Sequence, residues 1–178
     1  MPLVPGTTVS EALQPTQRRI NLHRMTGGTT PSRVEAGLQL RFGNVAIGAN
    51  SADVEVVVTN SAVGHSAPGG LSTKSLVLAV GADTGAPELA HRRERVYRRE
   101  LKDANGRTLA TVTEFFLTAA SVGEDTRIKQ KEARTERFTL PLPEGWKAIV
   151  ARLEYRDTSD PAAPKTRLVT EQRRERGR

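Results

Sequence analysis

"KAIVARLEYRD", residues 147–157, decides the fold. Ile149, Ala151, Leu153 and Tyr155 are opposed to Arg152, Glu154 and Arg156, so every second side chain is apolar and, from 152 on, the ones between are charged. A strand puts successive side chains on opposite faces, and this alternation makes one buried face and one wet face. The same period recurs upstream. In "DVEVVVTN" (53–60), Val54, Val56 and Val58 point one way while Asp53, Glu55 and Val57 point the other. "KSLVLAV" (74–80) lines up Leu76, Leu78 and Val80, and "RTERFTLPL" (134–142) lines up Phe138 and Leu140. "RTLATVTEFFL" (107–117) reads the same way, with Leu109, Phe115 and Leu117 against Val112 and Phe116. "TRLVT" (166–170) adds a short last strand, and "SRVEAGLQLRF" (32–42) reads as a helical turn running into a strand.

Turn chemistry separates these runs. Asn105-Gly106 in "DANGRT" is a two-residue hairpin signal, "PLPEGW" (141–146) is a proline-led turn, and "VGADTGAPE" (80–88) is a looser loop. Short strands with one apolar face each must bury those faces against a second sheet. The expected fold is therefore all-β: a sandwich of six to eight strands, immunoglobulin-like or Greek-key-like, over residues 33–170. Residues 1–32 carry Pro2, Pro5, Pro15, Pro31 and Gly27-Gly28 and read as an extended arm. The tail 171–178, "EQRRERGR", is too polar to pack and reads as basic and disordered.

Composition narrows the function classes. The chain of 178 residues is 37% hydrophobic and 26% charged, and no apolar run has the length of a bilayer span. "MPLVPGTTVSEALQ" lacks the basic-then-apolar pattern of a secretory signal. The absence of cysteine removes disulfides, thiol catalysis, cysteine-held zinc and iron–sulfur clusters. It also removes CxxCH, so this chain attaches no c-type haem covalently. A net charge of +7 favours acidic partners: nucleic acid, anionic headgroups or an acidic protein.

The loop that follows the second strand, "VVVTNSAVGHSAPGG" (56–70), comes close to two enzyme motifs. Gly64 and Gly69 have phosphate-loop spacing, but Gly70 stands where lysine belongs and a strand follows instead of a helix. Gly64-His65-Ser66-Ala67 is followed by Pro68, which cannot make a nucleophile elbow. His65 then has two readings: a corner residue tied to Asn60 across the turn, or an axial ligand to metal or haem iron. His23 lies in "INLHRMTGG", two residues from Met25, another haem-ligand type, with simple solvent exposure as the plainer reading. His91 opens the basic run "HRRERVYRRE" (91–100) as a surface charge partner.

On a strand, Arg93, Arg95, Tyr97 and Arg99 of that run share one face, which could grip phosphates or stack on bases. Glu94 and Glu100 interrupt the positive field, so pairing with acidic neighbours across strands is the rival explanation. Nothing surrounds the run with the helical context of an RNA-recognition sheet, which leaves nucleic acid a minority partner. In "GEDTRIKQKEARTERF" (123–138), Asp125 reads as a turn cap, and Arg127 and Arg134 as partners for Glu124, Asp125 or Glu132. No acid–base pair, triad or metal cluster emerges, so the chain reads as non-enzymatic.

Taken together, these motifs resemble the β-rich C-terminal region of multihaem c-type cytochromes, the cytochrome c554-like and related families. Asn60, Gly64, His65, Pro68 and Gly70 match the pattern N-x-G-A-G-H-x-x-P-T-G. "YRRELKDANGRTL", "EDTRIKQKEARTERFTLP" and "ARLEYRD" are similar to the segments that close those chains, and "NLHRMTGG" to the one preceding the sandwich. The likeness spans about residues 20–158. It departs where the family has threonine and this chain has Gly69, where proline is replaced by Gln130, and in lacking the CxxCH half altogether.

The resemblance implies an accessory sandwich subunit that docks onto a multihaem cytochrome or a larger, membrane-associated electron-transfer complex. It implies a periplasmic or extracellular place, and it brings His65 or His23 near haem c of a partner chain. Asn60, Gly64 and Pro68 of the loop, with the arginine face, are the expected contacts. The alternative is a free-standing ligand- or polyanion-binding module that uses Arg93, Arg95, Tyr97 and Arg99.

Overall fold

The computed structural model describes residues 3–6, 18–21 and 37–177, so His23 and Met25 lie outside the described residues. Within the arm, β1 (Leu3–Gly6) and β2 (Arg18–Asn21) pair antiparallel. The rest is the expected sandwich. One sheet has the order β11-β10-β5-β6 and the other β3-β4-β9, from strands β3 (Leu38–Ile47), β4 (Ser51–Asn60), β5 (Lys74–Asp83), β6 (Ala90–Tyr97), β9 (Ala133–Pro141), β10 (Ala148–Asp157) and β11 (Lys165–Glu175). Between β6 and β9 the chain leaves the sandwich through β7 (Arg99–Lys102), helix α1 (Val112–Leu117) and β8 (Ser121–Asp125), with β7 and β8 paired. All strand pairings are antiparallel, and strands far apart in sequence meet: β5 pairs with β10 and β4 with β9.

The alternation of the sequence becomes the core. Val54, Val56 and Val58 of β4 face Leu76, Leu78 and Val80 of β5 and Ile149, Ala151, Leu153 and Tyr155 of β10 across the two sheets. Phe138, Leu140 and Trp146 close the same cluster. The central strands β5 and β10 are also covered on their outer face, where Val77, Ala79 and Val150 have no exposed surface. Part of that cover is ionic: Arg92, Glu94, Glu154 and Arg156 bridge β6 to β10. Their aliphatic stems lie over apolar strands while the charged heads meet each other and water.

Three expectations give way. Residues 112–117 are helical, because Thr111 accepts the Glu114 amide and Glu114 in turn binds the Thr111 amide, a reciprocal cap that a period-two reading overlooks. Asn105-Gly106 does make the tight turn, with Gly106 at φ 81°, yet the hairpin ends after the single bridge Lys102–Thr108. The tail is ordered as far as Glu175: Glu171–Glu175 continue β11 beside β10, held by Arg152–Glu171 at 2.7 Å and Arg173–Asp83 at 2.6 Å. An inner strand with a free edge supplies a backbone ladder that outweighs the polarity of the tail.

Candidate functional site

The loop 61–73 carries the chain from the end of β4 in one sheet to the start of β5 in the other. A crossing at the rim leaves backbone groups without a sheet partner, and Asn60 supplies what is missing. Its side chain is fully buried; Nδ2 donates to His65 O at 2.9 Å and to Ile128 O at 3.2 Å, while Oδ1 accepts from Val63 N at 3.1 Å. Ala67 and Ile128 exchange backbone hydrogen bonds of 2.8 and 2.9 Å. Lys131, held at φ 61°, donates its amide to Asn60 O at 2.9 Å. The loop is thus clamped to the turn 126–132. Pro68 is buried behind a cis Ala67–Pro68 bond, so it is a packing residue and not an exposed contact.

His65 stands exposed on this clamp. Its Nδ1 lies 2.9 Å from Ser66 O, and a carbonyl only accepts, so Nδ1 carries the hydrogen. In the neutral ring the lone pair then sits on Nε2, which has no partner among the described residues. A backbone carbonyl fixing one nitrogen so that the other can ligate is the usual arrangement around metal-binding histidines. The ring rests against Gly69: a Cβ there would come within 2.4 Å of Cε1. Glycine at 69 leaves the space that the ring occupies. Gly64 is different, since a Cβ at that position would meet nothing. The two readings of His65 are compatible: it is a corner residue tied through its carbonyl to Asn60, and its imidazole keeps a free nitrogen.

The arginine run is divided instead of continuous. β6 ends at Tyr97 and pairs with β5, whereas Arg99 begins β7 and pairs with Asp125 of β8. Register places Arg93, Arg95 and Tyr97 opposite Val80, Leu78 and Leu76, on the side that faces the second sheet. Arg95 binds Glu136 at 3.4 Å and lies 5.4 Å over the Phe138 ring, while the Tyr97 hydroxyl donates to Glu136 at 3.3 Å and Arg134 covers the Tyr97 ring. Burial, then the Glu136 charge, push the Tyr97 phenol far above its ordinary value. Arg92 pairs with Glu94 and Glu154, Arg98 with Glu100. Arg93 has no ion pair among the described residues. His91 sits exposed at φ 51° in a bulge opposite Gly81, which tolerates no Cβ because Ala90 O and Leu89 would be 2.9 Å away.

The mixed-charge stretch 123–138 makes local ion pairs at Asp125 and Glu132. Asp125 accepts from the Arg127 amide and guanidinium, and that pairing holds its carboxyl below the usual range. Arg134 pairs with Glu132 at 2.6 Å. Among the described residues no group of three histidines, cysteines or carboxylates could hold a metal ion. No described helix is long and apolar enough to cross a membrane. The clamp to Ile128 and Lys131 was invisible to sequence reading, since Asn60 and Ile128 stand 68 positions apart and no local pattern joins them.

No protein-family model matches the chain, and no curated protein matches it. Among solved structures it is similar to a penta-haem cytochrome c552 from Thermochromatium tepidum, with a TM-score of 0.64 at 19% identity over 86% of this chain. The overlap covers 43% of that cytochrome, so this chain spans less than half its length. A Northeast Structural Genomics Consortium target gives a TM-score of 0.27 at 11% identity over 79% of this chain and 87% of its own. The β-glucosidase 3B from Thermotoga neapolitana in complex with glycerol gives 0.24 at 12% over 78% and 17%. Neither of these two carries a structural argument. The likeness to the cytochrome is one of fold.

Proposed function

We propose that this chain is a non-catalytic β-sandwich subunit that docks onto a multihaem cytochrome or a larger electron-transfer complex outside the cytoplasm, and that His65 approaches a haem of that partner. The observation that carries the reading is the imidazole itself: Nδ1 fixed on Ser66 O, Nε2 open, on a loop clamped at Asn60. A neutral imidazole nitrogen is a fitting axial donor for haem iron, so the residues present suit the group. The shared sandwich with a penta-haem cytochrome supplies the context. The haem would supply electron transfer; this chain's residues would bind, orient and exclude water from its edge.

The test is a titration of the full chain with the ferric, N-acetylated haem c octapeptide, whose sixth axial position is open. The expected result is a low-spin visible spectrum that disappears in His65→Ala and persists in His91→Ala and His23→Ala. Equal spectra for the parent and His65→Ala would overturn the reading.

A further inference from the structure

We infer that Lys74, Lys129 and Lys131 form a cationic face beside His65 that fits the propionate-bearing edge of a partner's haem, an inference that rests on the proposed approach of His65 to haem. The basic run 91–100 attracts attention in the sequence, but its charge is largely internal: Arg92, Arg95 and Arg98 each have a carboxylate. The cations around the loop are differently placed. Lys129 and Lys131 are exposed, and neither has an ion pair among the described residues. Both leave the turn whose Ile128 pairs with Ala67, two residues from His65. The Lys131 backbone is held in place by the hydrogen bond its N–H donates to Asn60 O at 2.9 Å.

Lys74 lies on the other flank. Its Cδ sits 3.5 Å from where a Cβ on Gly70 would be, next to the Gly69 that carries the His65 ring. Across the strands it faces Asp157, which also faces Lys165, so one carboxylate stands between two ammonium groups. The acidic groups of the turn are occupied: Glu132 holds Arg134 and the Lys129 amide, and Asp125 holds Arg127. The loop 61–73 itself contains no acidic residue.

A haem approached along its axis by an imidazole presents two propionates at its rim, a side chain's length from the iron. An exposed lysine is a flexible point charge suited to such a rim, where geometry is not fixed in advance. The chemistry recognised is thus a pair of carboxylates displaced sideways from an iron centre.

The experiment compares the N-acetylated haem octapeptide with its propionate dimethyl ester. Calorimetry reads association and the visible spectrum reads ligation, so the two are separable. The parent chain should bind the free acid about fivefold more tightly than the ester at low ionic strength, the scale of two exposed ion pairs, and the preference should fade as salt rises. Lys74→Gln/Lys129→Gln/Lys131→Gln should abolish the preference and leave binding of the ester unchanged. Lys147→Gln/Arg174→Gln, at the opposite end of β10 and β11, should keep it. Persistence of the preference in the first variant, or its equal loss in the second, overturns the inference. A spectrum that does not depend on His65, with the lysine-dependent preference intact, fails the ligation reading alone and leaves the cationic face standing.

Discussion

The loop at His65 and the arginine strand at residues 91–97 are the two polar features that the sequence puts forward, and the fold treats them in opposite ways. Around His65 the loop is held by backbone groups and one buried amide, so beyond its contact with Ser66 O the side chain at the summit keeps one nitrogen without a partner among the described residues. Along β6 the side chains themselves make the contacts. Arg92 reaches Glu154 on β10 and Arg95 reaches Glu136 on β9, partners 62 and 41 residues away. A group that completes the structure is not available to a partner, and one that the structure merely supports is. The density of charge in a sequence is therefore a poor guide to where a basic protein is attractive.

The largest effect that sharpens this contrast is expected at Asn60. Asn60→Ala leaves the His65 and Ile128 carbonyls and the Val63 amide without their partner in a buried place, which should cost about 3 kcal/mol. Urea unfolding measures the loss, and the haem-peptide spectrum should weaken with it. Second comes Glu136→Ala, which takes the shared acceptor from Arg95 and Tyr97. A loss of about 1–2 kcal/mol is expected there, from one half-buried hydrogen bond and one ion pair, with the haem-peptide spectrum untouched. A spectral change in Glu136→Ala would break the contrast, because it would make the arginine strand part of the site.

Legibility followed the same division. Alternation in "KAIVARLEYRD" and "DVEVVVTN" is a local property, and it yielded the sheets and the inner faces of the core. What escaped was either non-local or of another period. The pairing of Asn60 with Ile128 and the edge position of β11 depend on chain that arrives from elsewhere. Helix α1 escaped because six residues are too few to show a helical repeat, although Thr111 and Glu114 spelled its cap. That cap makes a third prediction. The amides of Ala110 and Thr111, with Arg107 between them in strength, hold the Glu114 carboxyl down at about 2. A lowered value means the cap's contribution is complete above the ordinary glutamate range, about pH 4.5, and is lost as pH falls towards 2. Carboxyl titration by NMR should give a Glu114 midpoint near that lower value, and a midpoint near 4.5 would deny the cap.

The smallest change in stability is expected where the ring of His65 meets Gly69. Gly69→Thr restores the residue of the pattern this chain resembles, yet its Cβ would stand 2.4 Å from Cε1, and no real pair of atoms stays so close. The obstacle is the end of a side chain on an exposed loop, so the ring can turn away at a cost of about 1 kcal/mol or less, the scale of one surface hydrogen bond. Turning away breaks the bond from Nδ1 to Ser66 O, and with it the bias that leaves Nε2 as the acceptor. Nitrogen-15 NMR of the imidazole reads the tautomer directly. The parent chain should show a hydrogen on Nδ1, and Gly69→Thr a mixture, with stability almost unchanged. If the threonine variant kept the Nδ1 tautomer, the carbonyl of Ser66 would not be what sets it, and the contrast between a supported and a structural side chain would have to rest on Asn60 alone.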